Sequence, residues 1–385
     1  MSMHGRSKAL TPERQRRAGC LVSRMRKIVA AVVAAVATGA AATAIAQALR
    51  EPIRPDDPKA FELENYRMRF DHEVEFRAAA IHVAWGAETL CDHTTEIEPF
   101  VLWSLHAMRK RPPSSDEPLL RRATGMDDKW RVVWVDESVP PELKLGDVVV
   151  AVNDMPLPGG STRLSLGAVF SGTAIVSADD DGYREVIAKA RAQAATGKPM
   201  TLTLADGRKV DVPTQTGCAG SVIASVFDSD PDKFWRQGNQ RAKVPANAMF
   251  EARTRDEFRW LAAFGTYFQA SAVAVGRQQE LEGMSAAFTV GKVLALAVPG
   301  AGMLLSAAEA QAERAIAVDG IAGRADLFAN EVVVALGGDP EAGLRLVRRI
   351  REREIKADVL ELGDFRLSSM AEHVARLRAL QLGAK

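Results

Sequence analysis

The 385-residue chain carries 50 Lys and Arg against 49 Asp and Glu and is 47% hydrophobic and 6% aromatic, enough for two or three domains with a sizeable core. Its near-neutral balance is unevenly spread, because eight of the basic residues and one of the acidic ones fall in the first 48 positions, leaving a net charge of −6 on the rest. A body that is acidic overall gives no basis for a nucleic-acid partner.

Residues 1–48 form their own class of sequence. Arg14, Arg16, Arg17, Arg24, Arg26 and Lys27 precede the Ala-rich run "IVAAVVAAVATGAAATAIAQA", and Ala46 and Ala48 flank Gln47. Basic, then apolar, then small residues at an A-x-A site is the order of a secretory signal peptide, which predicts a periplasmic or otherwise exported protein. The alternative is a retained membrane anchor, since Ile28 to Ala48 is about long enough to span a bilayer.

Residues 49–118 read as a tether followed by a helix. Pro52, Pro55 and Pro58 sit among charges in 49–70, and from Asp71 to Leu90 the residues Val74, Ala78, Ile81, Trp85 and Leu90 fall at roughly helical spacing. Beyond the leader two cysteines remain, Cys91 and Cys218. An even pair in an exported chain predicts a disulfide. A Cys–His dyad in "LCDH" lacks a visible activating partner or oxyanion device.

From Leu119 the period changes. "KWRVVWV", "DVVVAVND" and "MTLTLADGRKVDV" read as short β-branched strands between Pro, Gly and Asp turns. Asp181 to Lys198 reads as an amphipathic helix closed by Gly197. Residues 119–216 are thus expected to form a compact α+β module.

Residues 217–385 read as mostly helical. "EFRWLAAFGTYFQASAVAVGRQQELEG" is expected to be one long helix with Phe258, Leu261, Ala262, Phe268 and Val273 on its apolar side. "AAFTVGKVLALAVPGAGMLLSAAEAQ" is more apolar, but Lys292 and Pro299-Gly300 leave no clean span. It reads as a buried or surface-seeking hairpin, with peripheral membrane contact through 286–306 as the second reading. "GRADLFANEVVVALGG" and "DPEAGLRLVRRIRE" follow, the latter capped by Asp339 and Pro340.

"VVWVDESVPPELKLGDVVVAVNDMPL", Val132 to Leu157, resembles the bacterial PDZ pattern, with Gly146-Asp147 as the turn before a strand and Asp154 where a Gly is usual. The resemblance implies peptide binding by addition to a sheet edge beside a helix. It would place the carboxylate loop near Gly125 and Met126, with Trp130, Tyr183 and Ile187 completing the peptide-binding set. "RATGMDDKWRV" departs from the usual loop, and the stretch beginning "GGSTRLSLG" is a longer insertion than that fold needs.

"VPANAMFEARTRDEFRWLAAFGTYFQ" and "RADLFANEVVVALGGDPEAGLRLVRRI" resemble, in order and register, the HtpX-like and CAAX prenyl endopeptidase family of zinc metallopeptidases, some exported members of which carry a PDZ module. Asp256-Glu257, Ala325-Asp326 and the turn Gly338-Asp339-Pro340 carry the match. The resemblance implies a fold class of α+β, with a zincin-like, mainly helical domain and an inserted PDZ-like β-rich module.

The chemistry does not follow. Such a site needs two imidazoles one helical turn apart, a Glu between them and a carboxylate as third ligand. This chain has Phe264, Gly265, Phe268 and Ala322 at those positions, and no histidine from Ala107 through Glu372. Phe264 and Phe268 share a helix face and would plug the space of a metal, while Gly265 would allow close approach.

The expectation is therefore a pseudopeptidase without metal or cofactor, binding peptide segments or a partner protein, such as an envelope protein. An active periplasmic zinc endopeptidase of envelope quality control is the first alternative, and a structural envelope assembly protein the second. No G-x-S-x-G, P-loop, C-x-x-C or dinucleotide motif points elsewhere.

Overall fold

The computed structural model describes residues 53–54, 56–105, 117–158, 178–223, 232, 234–237, 241–270, 321–357, 360 and 364–383. All lie in one compact unit, Ile45–Lys385. The leader, Val273, "GGSTRLSLG" and the 286–306 stretch lie outside them. Among the described residues no helix is long and apolar enough to cross a membrane.

The fold is α+β. Helix α1 (Ala60–Gly86) begins eleven residues before the sequence reading placed it, so the second half of the expected tether is helical. The reason is burial: Leu63 and Phe70 are almost wholly buried, and side chains one or two turns apart share a face that a core can hold in place. The stripe also differs from the expected one. Phe76, Ala79 and Val83 face the main core, Ile81 and Trp85 are only half-buried, and Leu90 is exposed.

Strands β1 (Thr94–Ile97) and β2 (Phe100–Trp103), which the sequence reading missed, follow α1. Their four-residue length is too short to show an alternation. After α2 (Glu117–Thr124) come β3 (Arg131–Val135), β4 (Val149–Val152), β5 (Met155–Pro156), α3 (Ala178–Ala194), β6 (Met200–Leu204) and β7 (Lys209–Val212). "MTLTLADGRKVDV" is thus a hairpin, β6 to β7, rather than one strand, turning where Gly207 takes a φ of 88°.

The sheet order is β5-β4-β6-β7, with β2 paired to β3 and a bridge from Arg131 to Val148 tying β3 to β4. Asn153 and Asp154 make the β4–β5 turn with φ of 49° and 60°, the left-handed pair that a two-residue hairpin demands and that Asn and Asp tolerate best. One core unites Val132, Val149, Val152, Ile187, Met200, Leu202 and Val212. Phe100 and Leu102 of β2, which precede residue 119, belong to that same core.

Strand β8 (Gln215–Cys218) pairs antiparallel with β1, and β9 (Ser221–Ile223) pairs parallel with β11 (Arg241–Lys243), which also pairs with β10 (Trp235–Gln237). Cys91 and Cys218 stand at disulfide distance, their Cα atoms 5.7 Å apart.

The helical part holds α4 (Ala246–Glu251), α5 (Arg255–Ala270), α6 (Ile321–Ala335), α7 (Ala342–Glu352) and α8 (Asp364–Gly383). It has the larger core, into which α1 also packs. Helix α7 has Glu341 as its cap residue and no side-chain cap, so Asp339 is not the cap that the sequence suggests; its carboxylate accepts the N–H of Glu341 at 2.9 Å within the turn before the helix.

Candidate functional site

Helix α5 is fixed at its start by a polar lock. Thr254 Oγ1 accepts the N–H of Glu257 at 3.3 Å, and Glu257 in return accepts the N–H of Arg253 at 2.6 Å. This exchange has the logic of a capping box, displaced by one residue on the return bond. Glu257 is almost wholly buried and also takes Arg349 of α7 at 2.7 Å. Asp256 accepts the N–H of Asp339 at 2.9 Å and pairs with Arg259 at 3.0 Å. Glu257 therefore joins α5 to α7, and Asp256 joins α5 to the turn before α7.

About two turns further in lie the positions that the resemblance assigns to metal chemistry. Phe264 is wholly buried and Phe268 nearly so. Their rings meet edge to face at 5.4 Å, Trp260 stacks on Phe264 at 5.6 Å, and Phe234 stands 4.7 Å from Phe268. Tyr267 packs on Phe328 of α6 at 5.5 Å. Rings at these separations gain about 0.5–1.5 kcal/mol per pair beyond their buried area.

Gly265 faces the other way. A Cβ there would stand 2.5 Å from Val222 Cγ1 and 3.0 Å from Val244 Cγ1. The residue is glycine because α5 presses against β9 and the end of β11. A glutamate side chain at this position has no room.

Ala322 is wholly buried on α6, and one turn on Asp326 is buried as well. Arg366 of α8 forks onto Asp326, with Nε and Nη2 at 2.6 and 2.9 Å from its oxygens, and donates to the carbonyl of Ala322 at 3.2 Å. Its guanidinium also sits 5.8 Å from the centre of the Phe264 ring, within range of a cation–π contact. Burial pushes the Asp326 carboxyl up, against the pull of Arg366. The sequence reading placed Asp326 but missed Arg366, because nothing local ties a residue of α8 to one forty positions earlier.

These residues do not fit a zinc ion. The side chains of two phenylalanines, a glycine and an alanine offer no lone pair, and the Asp326 carboxylate is already held by a guanidinium. Among the described residues no group of three or more His, Cys, Asp and Glu side chains is arranged to hold a metal ion.

The five candidate peptide-binding residues fall into two groups. Trp130 and Tyr183 stack at 4.2 Å and 13°, Trp130 Nε1 donates to the carbonyl of Pro158 at 3.0 Å, and Ile187 is buried one helical turn along α3. Gly125, with φ of 70°, ends α2, and Met126 is buried with Phe70, Trp103 and Leu105 in a separate cluster against α1. Met126 and Trp130, which the resemblance placed in one peptide-binding set, thus belong to different hydrophobic clusters. Arg191 of α3 is bound elsewhere, forking onto the buried Glu98 at 2.6 and 2.8 Å.

Comparison with family models, curated proteins and solved structures found no match.

Proposed function

We propose that this chain is an exported, catalytically inert metallopeptidase-like protein, in which a zincin-like helical scaffold carries a PDZ-like module that binds peptide segments or a partner protein. The observation that carries the reading is the aromatic plug. Where hydrolysis would need ligands, base and water, Phe264, Phe268, Trp260 and Phe234 pack against one another. The buried Asp326 carboxylate is held by Arg366, whose guanidinium lies beside the Phe264 ring.

The binding half of the proposal rests on the β5-β4-β6-β7 sheet with α3 beside it, an arrangement compatible with peptide addition at a strand edge. The Trp130–Tyr183 stack and Ile187 make the apolar contact between that helix and the strands.

The test uses the purified mature chain. Metal analysis should find no stoichiometric zinc, casein and unfolded peptides should survive prolonged incubation with added zinc, and a peptide library should yield specific binders. About one zinc per chain, lost together with proteolysis on chelation, would instead make it an active endopeptidase. A library with no binders would leave assembly of the envelope as its role and remove the peptide-binding half.

A further inference from the structure

We propose that His82 is the pin of an acid-released joint that holds the first turn of α5 against α1 and the end of β3. The imidazole lies at a three-way contact. Its Nε2 is 3.0 Å from Asp136 Oδ2, just beyond β3, and its Nδ1 is 3.2 Å from Arg255 Nη2 at the start of α5. Trp85 of its own helix and Trp134 of β3 flank the ring at 5.6 and 5.4 Å. The side chain retains 12% exposure, so a proton can reach it.

The two polar contacts fix the state of the ring. A guanidinium only donates, so Nδ1 must be the unprotonated, accepting nitrogen and Nε2–H must donate to Asp136. A proton added at Nδ1 sets an N–H and a positive charge directly opposite the guanidinium. The hydrogen bond to Arg255 is then lost and replaced by repulsion, while the bond to Asp136 gains an opposite charge.

The charged groups around the ring settle which way the joint moves. From α5 come Arg255 and Arg259, and from just beyond β3 comes Asp136; on α1 itself Glu75 is drawn to Arg255. Burial pushes the His82 imidazole below its ordinary range, Asp136 pulls it up, and Arg255 and Arg259 press it down again. A histidine so depressed leaves the closed joint at full strength above its unfolded value of about 6.5. That strength is lost as pH falls through the lowered value. Acid therefore frees α5 and not β3, because Asp136 follows the charged ring.

The experiment is hydrogen exchange of the full mature chain at about pH 7.5 and about pH 5.5, corrected for intrinsic rates, across a range that a histidine can sense. The amides of residues 254–260 should exchange several-fold faster at the lower pH, while those of 131–136 do not change. His82→Gln keeps one donor and one acceptor without a titratable proton and should abolish the acid effect. Arg255→Met should raise exchange in 254–260 at both pH values and flatten its pH dependence, a readout that survives if the Gln variant fails to fold. Acid-induced exchange that persists unchanged in either variant, or its absence from the parent protein, would overturn the proposal.

Discussion

Arg366 and Asp326 face each other between α8 and α6, two guanidinium nitrogens on two carboxylate oxygens at 2.6 and 2.9 Å, with the Phe264 ring beside the guanidinium. The pair stands at the edge of the aromatic cluster and ties α8 to α6. Breaking one partner leaves the other charge buried.

Asp326→Ala should therefore cost about 3–5 kcal/mol, a large share of a total near 5–15 kcal/mol. Replacing both partners by Asp326→Leu and Arg366→Met should recover most of that loss, since apolar groups of similar volume need no compensation. Urea unfolding of the two single variants and the double variant gives the coupling directly. Additive losses would show that the pair is not the unit described.

Gly265→Ala should destabilise by about 1–3 kcal/mol, the usual cost of overpacking a filled core. The added methyl meets Val222 and Val244. Combining it with Val222→Ala should return part of the loss, whereas helix propensity alone would make the alanine favourable. A stabilised single variant would mean that α5 and β9 are not in tight contact.

Cys91 and Cys218 are 127 residues apart in sequence, and closing a loop of that size is worth roughly 4–5 kcal/mol in the chain-entropy model. Peptide mapping of protein purified without reductant should recover the two cysteines in one cross-linked fragment, and reduction should lower the denaturation midpoint. Two free thiols in that protein would remove the bond from the account.

What the sequence disclosed was decided by how much each segment carried its own signal. Helix α5 was legible because Phe258, Leu261, Phe264 and Phe268 repeat at helical spacing, and the plug followed from residue types alone. The pairing of Cys91 with Cys218 needed only a count. Strands β1, β2 and β8 to β11 were not legible, since three or four residues are too few to alternate, and β2 is buried along its whole length. Arg366, Asp136 and Arg255 were missed for a different reason. Each gains its meaning from a partner 40, 54 or 173 residues away, and no local period records such a distance. Gly125 and Met126 were assigned to a carboxylate loop by the resemblance alone, and no local signal showed that Met126 packs with Phe70, Trp103 and Leu105 while Trp130 joins the core of the sheet.

The central proposal is that the positions which the resemblance assigns to a metal form a packed core. It is tested most directly by thermal melts, with and without zinc, of the variant Phe264→His, Gly265→Glu, Phe268→His, Ala322→Glu. Apolar-to-polar and large-to-small changes at buried positions each cost about 2–5 kcal/mol, Gly265 has no space for a side chain, and Ala322 is wholly buried beneath Arg366. The account predicts a variant that is unfolded or melts far below the parent, and that zinc does not restore. A variant that melts at the parental temperature, or gains strongly on adding zinc, would show a site still organised for metal and would contradict it.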